Sequence, residues 1–343
     1  MNFKEKFMDT KEILRKLCAA DGNSGDEKLA AKLGVELLSE YGETALDNLG
    51  NVICKVAPEK DGRHVMLDAH LDQIALIVTD IDENGFVTAM PCGGIDRRGI
   101  CGTRVRVLGK DGEYLGVVCI PRDEDKKNPK REDITLDLGF TKEEAEKHIS
   151  LGDRAMLCGK WSDIGEGYVT SPALDDRSGC ACIIEALELL KGKELPCGLT
   201  AVFSTREETG GEGAAAAAFA IAPTEALEMD VSFGKTPDTN DIETKLMKKG
   251  PMIGFGPSLD RKMSEELVSL AKKNEIPYQY EIMSGSTGTN ADEISKAGGG
   301  VRSVTISIPQ QYMHTAIEKM AIEDIKNVGR LIAAYVLEGG AGK

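Results

Sequence analysis

The sequence predicts an α/β protein: a mixed sheet flanked by helices, interrupted by an inserted small β-barrel-like domain. Three observations carry this reading. Strand-like and helix-like stretches alternate over residues 1–78 and again over 165–343, the rhythm of a largely parallel or mixed sheet covered on both faces. Residues 79–164 instead read as short β pieces separated by glycine turns, the texture of a small barrel or sandwich. No internal repeat runs through the 343 residues, so the chain is one discontinuous domain with an insertion.

In order along the chain, amphipathic helices are expected at Asp9–Ala20 and Asp26–Tyr41, then a strand at "NVICKVA". The run "RHVMLDAHLDQIALIV" is apolar enough for a buried strand, interrupted by Asp68, His70 and Asp72. Inside the insertion, "GFVTAM", "TRVRVLG", "YLGVVCI" and "DRAMLCG" are strands. A helix fits Lys142–His148, with Thr141 and Glu144 at capping-box spacing. The charged stretch Arg122–Asp133 reads as a mobile loop. Beyond residue 165 come a helix at Arg177–Lys191, the strand "GLTAVFST", an alanine-rich helix and the strand "ALEMDVSF". A helix at Arg261–Asn274, the strand "YQYEIM", a short helix near Asp292–Ala297, the strand "VRSVTISI" and a final helix over Ala316–Leu337 complete it.

Composition excludes several classes of function. The formal net charge of −15 argues against a nucleic-acid partner, which needs a basic face. The N-terminus, "MNFKEKFMDTKEILRKL", has no apolar core and is not a signal peptide. The longest uninterrupted apolar run, Ala214–Ala222, is far short of the ~20 residues a membrane helix needs, so no membrane partner is expected. Nine cysteines without CxxC spacing suggest reduced thiols and a cytoplasmic location.

Ligands of open α/β sheets bind beyond the carboxyl ends of the strands. Metal-capable residues collect at those ends: His70 after "VMLDA", Asp175 and Asp176 after "YVTSPAL", Glu207 and Glu208 after "TAVFST" and Arg206, Asp230 after "ALEM", His314 after "SVTISIPQQYM". Each alone has an ordinary structural explanation: a strand-end histidine, a helix N-cap, a solvated glutamate pair, a turn aspartate. Their joint occurrence is harder to dismiss. Residues i and i+2 of a strand share a face, so Asp72 is placed beside His70, where it can accept the imidazole N–H that fixes a metal-binding tautomer. Of the four histidines, His64 and His148 are read as structural.

The segments "DAHLDQIALIV", "SPALDDRSGC", "TREETGGEGA", "MDVSFGKTPDT" and "ISIPQQYMHTAIE" resemble, in order, those of the tetrahedral (TET-type) or glutamyl aminopeptidase family, some members of which carry an endoglucanase label. The insertion is similar too, through "GGIDRRGICGTRVRVLG" and "LGFTKEEAEKHISLGDRAMLCG". The resemblance implies a zinc-peptidase-like catalytic domain with two divalent metal ions per subunit, Zn²⁺ first and Co²⁺ or Mn²⁺ as alternatives. Asp175 would bridge them, His70 and Asp230 completing one site, Glu208 and His314 the other. Glu207 would be the general base, Asp72 the orienting carboxylate, and the Asp175–Asp176 peptide would be cis. The implied substrates are short peptides with a free N-terminus. The implied assembly is a homododecamer, with the inserted domain making subunit contacts.

Such a centre makes chemical sense of the residue types. Carboxylate and imidazole suit Zn²⁺, Co²⁺ or Mn²⁺. Two ions sharing a carboxylate acidify a bridging water to hydroxide; Glu207 takes its proton and later delivers it to the leaving amine. The stretch Met283–Asn290, with Ser286, Thr287 and Asn290, is the candidate lining of the substrate pocket. Gln73, Arg206, Asn290 and Gln311 depart from the family pattern; none removes a ligand or the base, and the last three bear on substrate preference. Two other readings are an amide deacylase or carboxypeptidase-like hydrolase using the same metals, and a catalytically silent assembly protein. A cellulase is disfavoured by 5% aromatic content and a single tryptophan, Trp161.

Overall fold

A computed structural model describes residues 9–120, 122, 130 and 134–340. The expected loop over Arg122–Asp133 lies, but for Arg122 and Lys130, outside the described residues. The chain opens with helices α1 (Thr10–Ala19) and α2 (Lys28–Leu38), then strands β1 (Glu43–Leu46), β2 (Val52–Ala57) and β3 (His64–His70). Next come β4 (Ala75–Ile81), β5 (Val87–Cys92), β6 (Arg104–Leu108), β7 (Glu113–Val118), β8 (Ile134–Asp137), α3 (Lys142–His148) and β9 (Arg154–Leu157). They are followed by β10 (Ser162–Ile164), β11 (Tyr168–Ser171), α4 (Leu174–Leu190), β12 (Gly198–Ser204), α5 (Glu212–Ile221) and β13 (Glu225–Phe233). The remainder is β14 (Met252–Phe255), α6 (Arg261–Lys273), β15 (Gln279–Ile282), α7 (Ala291–Ser295), β16 (Arg302–Gln310), β17 (Glu318–Ala321) and α8 (Ile322–Glu338).

Eight strands form the main sheet, in the order β1-β2-β12-β3-β13-β16-β14-β15. The central four, β12-β3-β13-β16, are parallel, with antiparallel pairing on both flanks. Strands β4 to β9 close into an antiparallel barrel filled by Leu76, Val78, Val105, Val107, Ile134 and Leu136 among others. The α/β class with an inserted barrel is thus the observed architecture.

Strand alternation decides where the core lies. On β3, Val65, Leu67 and Ala69 face one side; their counterparts Leu227, Met229 and Val231 on β13 and Val304, Ile306 and Ile308 on β16 join the same buried cluster. Helices α1, α4, α6 and α8 cover that face. The opposite face is apolar only at its base, where Met66, Val202 and Ala226 meet alanines of α5 and Ile294 of α7. Small side chains on α5 let it approach the sheet closely, which explains the alanine run.

Several boundaries differ from those the sequence predicts. "RHVMLDAHLDQIALIV" is two strands: β3 ends at His70, and the chain enters the barrel at Ala75. The final helix begins at Ile322, not Ala316, because residues 318–321 form β17, which pairs with β11. The capping box holds: Thr141 accepts from the Glu144 N–H (3.3 Å) and Glu144 from the Thr141 N–H (2.9 Å).

One side chain fixes the loop that follows β12. Asn51 Oδ1 accepts the Thr205 N–H (2.9 Å), and its amide donates to the Gly213 carbonyl (2.9 Å) and to Asp47 (2.6 Å). Residues 206–212 are therefore clamped at both ends from the residue before β2. Asn51→Ala leaves several buried polar groups unpaired, so a loss of about 2–3 kcal/mol is expected in denaturant unfolding; an unchanged midpoint would show that the clamp is not needed.

Candidate metal centre

The polar face of the sheet builds the site rung by rung. Asp68 on β3, Glu228 on β13 and Thr305 on β16 are register partners one rung above the apolar base. The next rung, at the carboxyl ends, carries His70, Asp230 and Ser307. Asp175 and Asp176 come in from the start of α4, joined by a cis peptide, with non-helical dihedrals before the regular helix begins. Glu207 and Glu208 occupy a 3₁₀ turn after β12, and His314 sits in the loop before β17.

All five candidate ligands and Glu207 converge. Asp175 Oδ1 lies 3.0 Å from His70 Nε2, and Asp175 Oδ2 lies 3.2 Å from His314 Nε2. His70 Nε2 is also 3.8 Å from Asp230 and 3.9 Å from Glu207 Oε2; His314 Nε2 is 3.5 Å from Glu208 Oε2. One carboxylate therefore turns an oxygen to each of two imidazoles. Ligand atoms of His70, Asp175 and Glu208 lie within 4.8 Å of one another, as do those of His70, Asp176 and Asp230. Asp176 accepts the Gly179 N–H (2.8 Å) through Oδ1, so it caps the helix while its neighbour faces the cavity.

The supporting contacts include some that sequence reasoning missed. Asp72 lies past the end of β3, and the closest acceptor for His70 Nδ1 is its backbone carbonyl at 3.1 Å, with Oδ1 at 3.4 Å. Its carboxylate mainly holds the glutamate turn: Oδ1 accepts the Glu207 N–H (3.0 Å), Oδ2 the Glu208 N–H (3.2 Å) and the Ser24 hydroxyl (2.6 Å). Buried Glu318 accepts the Asp175 N–H (3.1 Å) and the His314 N–H (3.0 Å). It stands four residues after His314 in "HTAIE", the one signal that pointed to it. The barrel also touches the centre: a Cβ on Gly94 would come within 2.8 Å of His314 Nδ1, and one on Gly93 within 3.1 Å of Glu208 Oε2. Arg206 and His314 both adopt φ of 61°, a region costly for non-glycine residues and concentrated at functional sites.

A cavity of about 570 Å³ opens over these groups. Thr287 and Asn290 line it; Ser286 is exposed and outside the lining. Asn290 spends its amide inward, on Asp68 (3.0 Å) and Ser204 (3.0 Å), and its buried Oδ1 has no partner among the described residues.

A family model described as M42 glutamyl aminopeptidase matches residues 50–331. A lysyl aminopeptidase of Pyrococcus furiosus is 32% identical over 95% of this chain and 96% of its own. Among solved structures, an aminopeptidase of the archaeon Desulfurococcus kamchatkensis superposes with a TM-score of 0.90 at 32% identity, covering 96% of this chain and 94% of its own. The TET1 peptidase of Pyrococcus horikoshii, described as assembling into a tetrahedron or a large octahedral shell, superposes with a TM-score of 0.85 at 27% identity, covering 96% and 100%.

The residues present fit cations. Glu208 Oε1 is buried without a partner among the described residues, and the donors are all carboxylate or imidazole. Their protonation says the same. Burial pushes Glu207 up to about 7 and Glu208 up to about 8, with the Asp175 charge adding to both. Burial also raises Asp230 well above the carboxylate range. For His314, burial is outweighed by the Asp175 hydrogen bond and the Glu208 charge, which lift it to about 10. Asp175 is the exception: burial opposes its ionisation, but the two imidazoles hold its carboxyl well below the usual range. From about pH 6 to 8 the folded metal-free chain thus binds more protons than the unfolded one, so its stability falls as pH rises. Cations replace those protons. The thermal midpoints of chelator-stripped and metal-loaded protein are expected to diverge from about pH 6 to 8; a constant or narrowing gap contradicts the assignment.

Proposed function

The chain belongs to the M42 glutamyl aminopeptidase family, a family of peptide-bond hydrolases, and on that premise we propose a co-catalytic aminopeptidase acting on short peptides with a free N-terminus. His70, Asp175, Glu208, Asp230 and His314 would hold two divalent cations, Asp175 standing between the His70–Asp230 pair and the Glu208–His314 pair. The observation that carries the reading is the placement of the two Asp175 oxygens against two separate imidazoles. The donor set favours Zn²⁺, with Co²⁺ or Mn²⁺ as alternatives. When bound, the cations supply Lewis acidity at the scissile carbonyl and lower the pKa of a water molecule.

The chain's own residues do the rest. Glu207, in the cavity wall and raised toward neutrality, takes a proton at its carboxylate from the attacking water and returns it to the leaving amine. Asp72 fixes the turn that carries Glu207 and Glu208 by accepting both of their backbone N–H groups. Glu318 fixes Asp175 and His314 against each other. Self-association into a large shell, a homododecamer, is proposed by analogy with the TET1 peptidase, and the inserted barrel offers the contact surface. Nine cysteines without CxxC spacing suit a reducing, cytoplasmic setting. No helix among the described residues is long and apolar enough to cross a membrane.

Glu207→Gln is expected to lower kcat by ~10²–10⁴-fold with the metal content unchanged, whereas Glu208→Ala loses metal together with activity. Full activity in either variant contradicts these roles. Acetylating the substrate amine is expected to abolish turnover; equal turnover would favour the deacylase.

A further inference from the structure

The family's relatives do not fix which N-terminal side chain this enzyme accepts, since the family description names glutamyl and one relative is lysyl. The cavity wall beyond the metal centre does. Glu281, on edge strand β15, is the register partner of Gly254 on β14. The Glu281 carboxylate reaches across β14. It accepts the Ser307 hydroxyl of β16 (2.6 Å) and the Ser232 hydroxyl of β13. Ser307 is the register partner of Asp230. A carboxylate is therefore anchored next to the centre on the same face of the sheet, separated from Asp230 by a single serine.

Two hydrogen bonds leave a carboxylate with free lone pairs, and Glu281 lines the cavity. Lys245, whose charge acts on Glu281, donates its ammonium to the Asp241 and Ile242 carbonyls of its own loop (2.9 Å each). Asp292 and Glu293 add two further acids to the wall, and no lysine or arginine is among the described residues lining it. Glu293 is paired with Lys296 (2.6 Å), so once cations neutralise the acids of the centre, Glu281 and Asp292 leave the cavity negative. Phe233, Met283 and Met313 supply an apolar stretch alongside them, which suits a long aliphatic stem ending in a charge.

Resting on the aminopeptidase reading, we propose that Glu281 is a specificity-determining residue: it receives the cationic head of an N-terminal lysine or arginine side chain. An acidic side chain placed there meets an unpaired like charge and is rejected. The alternative role for Glu281, holding the substrate's α-ammonium, would affect every substrate equally, and this difference makes the proposal testable.

The test compares kcat/KM of the metal-loaded enzyme on lysyl, arginyl, norleucyl and glutamyl fluorogenic amides. Norleucine keeps the stem of lysine and removes the charge. Lysyl and arginyl substrates are expected to exceed norleucyl by about 10- to 100-fold, the worth of a hydrogen bond to a charged group, with glutamyl slowest. In Glu281→Gln the lysyl-to-norleucyl ratio is expected to collapse toward unity. Should that variant not fold, a flat wild-type series still overturns the inference. Cleavage of all four with a flat profile, or a ratio unmoved by Glu281→Gln, overturns this inference and leaves the aminopeptidase reading standing. Failure to cleave any free-amine substrate overturns that reading and this inference with it.

Discussion

The fold is organised around one electrostatic constraint: more carboxylates are buried at the carboxyl ends of the central strands than two imidazoles can balance. Asp72, Asp175, Asp230, Glu207, Glu208 and Glu318 stand against His70 and His314, with Asp68, Glu228 and Asp176 in the layer beneath. Water cannot reach most of these groups, so each must find a proton, a hydrogen-bond donor or a cation. The upward shifts of Glu208, Asp230 and Glu318 are the protonic answer. Divalent cations are the answer that leaves the carboxylates ionised and chemically useful.

The architecture serves that constraint at several levels. Parallel pairing of β3, β13 and β16 sets polar rungs in register above an apolar base. The glutamate turn is clamped by Asn51 from outside and by Asp72 from within. The barrel is more than an appendage. Gly93 and Gly94 bring its backbone against Glu208 and His314, and the Asp96 N–H donates to the His314 carbonyl (3.1 Å). A perturbation of the barrel near these glycines therefore reaches the centre directly. The same sheet face carries Glu281, so binding of the reacting bond and reading of the side chain share one rigid support.

Much of this was legible in the sequence because the pattern is physical. Apolar runs flanked by helical stretches located β3, β12, β13 and β16, and open-sheet geometry said where to look for ligands. The carboxylates and imidazoles at those strand ends do converge. What the sequence hid were contacts between remote segments with no local signature. Asn51 and Ser24 look like loop residues, and β17 reads as the start of a helix because residues 316–337 are evenly amphipathic. Asp72 lies beside His70 but past the end of β3, and its carboxylate is occupied with the Glu207 and Glu208 backbone, which strand periodicity does not reveal. Asn290 turned inward to Asp68, and Ser286 lies outside the cavity, because a Gly/Ser-rich loop gives no clue to which residues face inward. Glu281 alternates along an edge strand like any surface glutamate, and nothing local says that it reaches Ser232 and Ser307.

The sharing of Asp175 between two cations is most directly tested by anomalous diffraction from crystals grown with Zn²⁺ or Co²⁺. Two peaks are expected, one between Asp175 and the His70–Asp230 pair, the other between Asp175 and the Glu208–His314 pair. A single peak, or peaks that leave Asp175 without contact, would contradict a shared carboxylate at the heart of the centre.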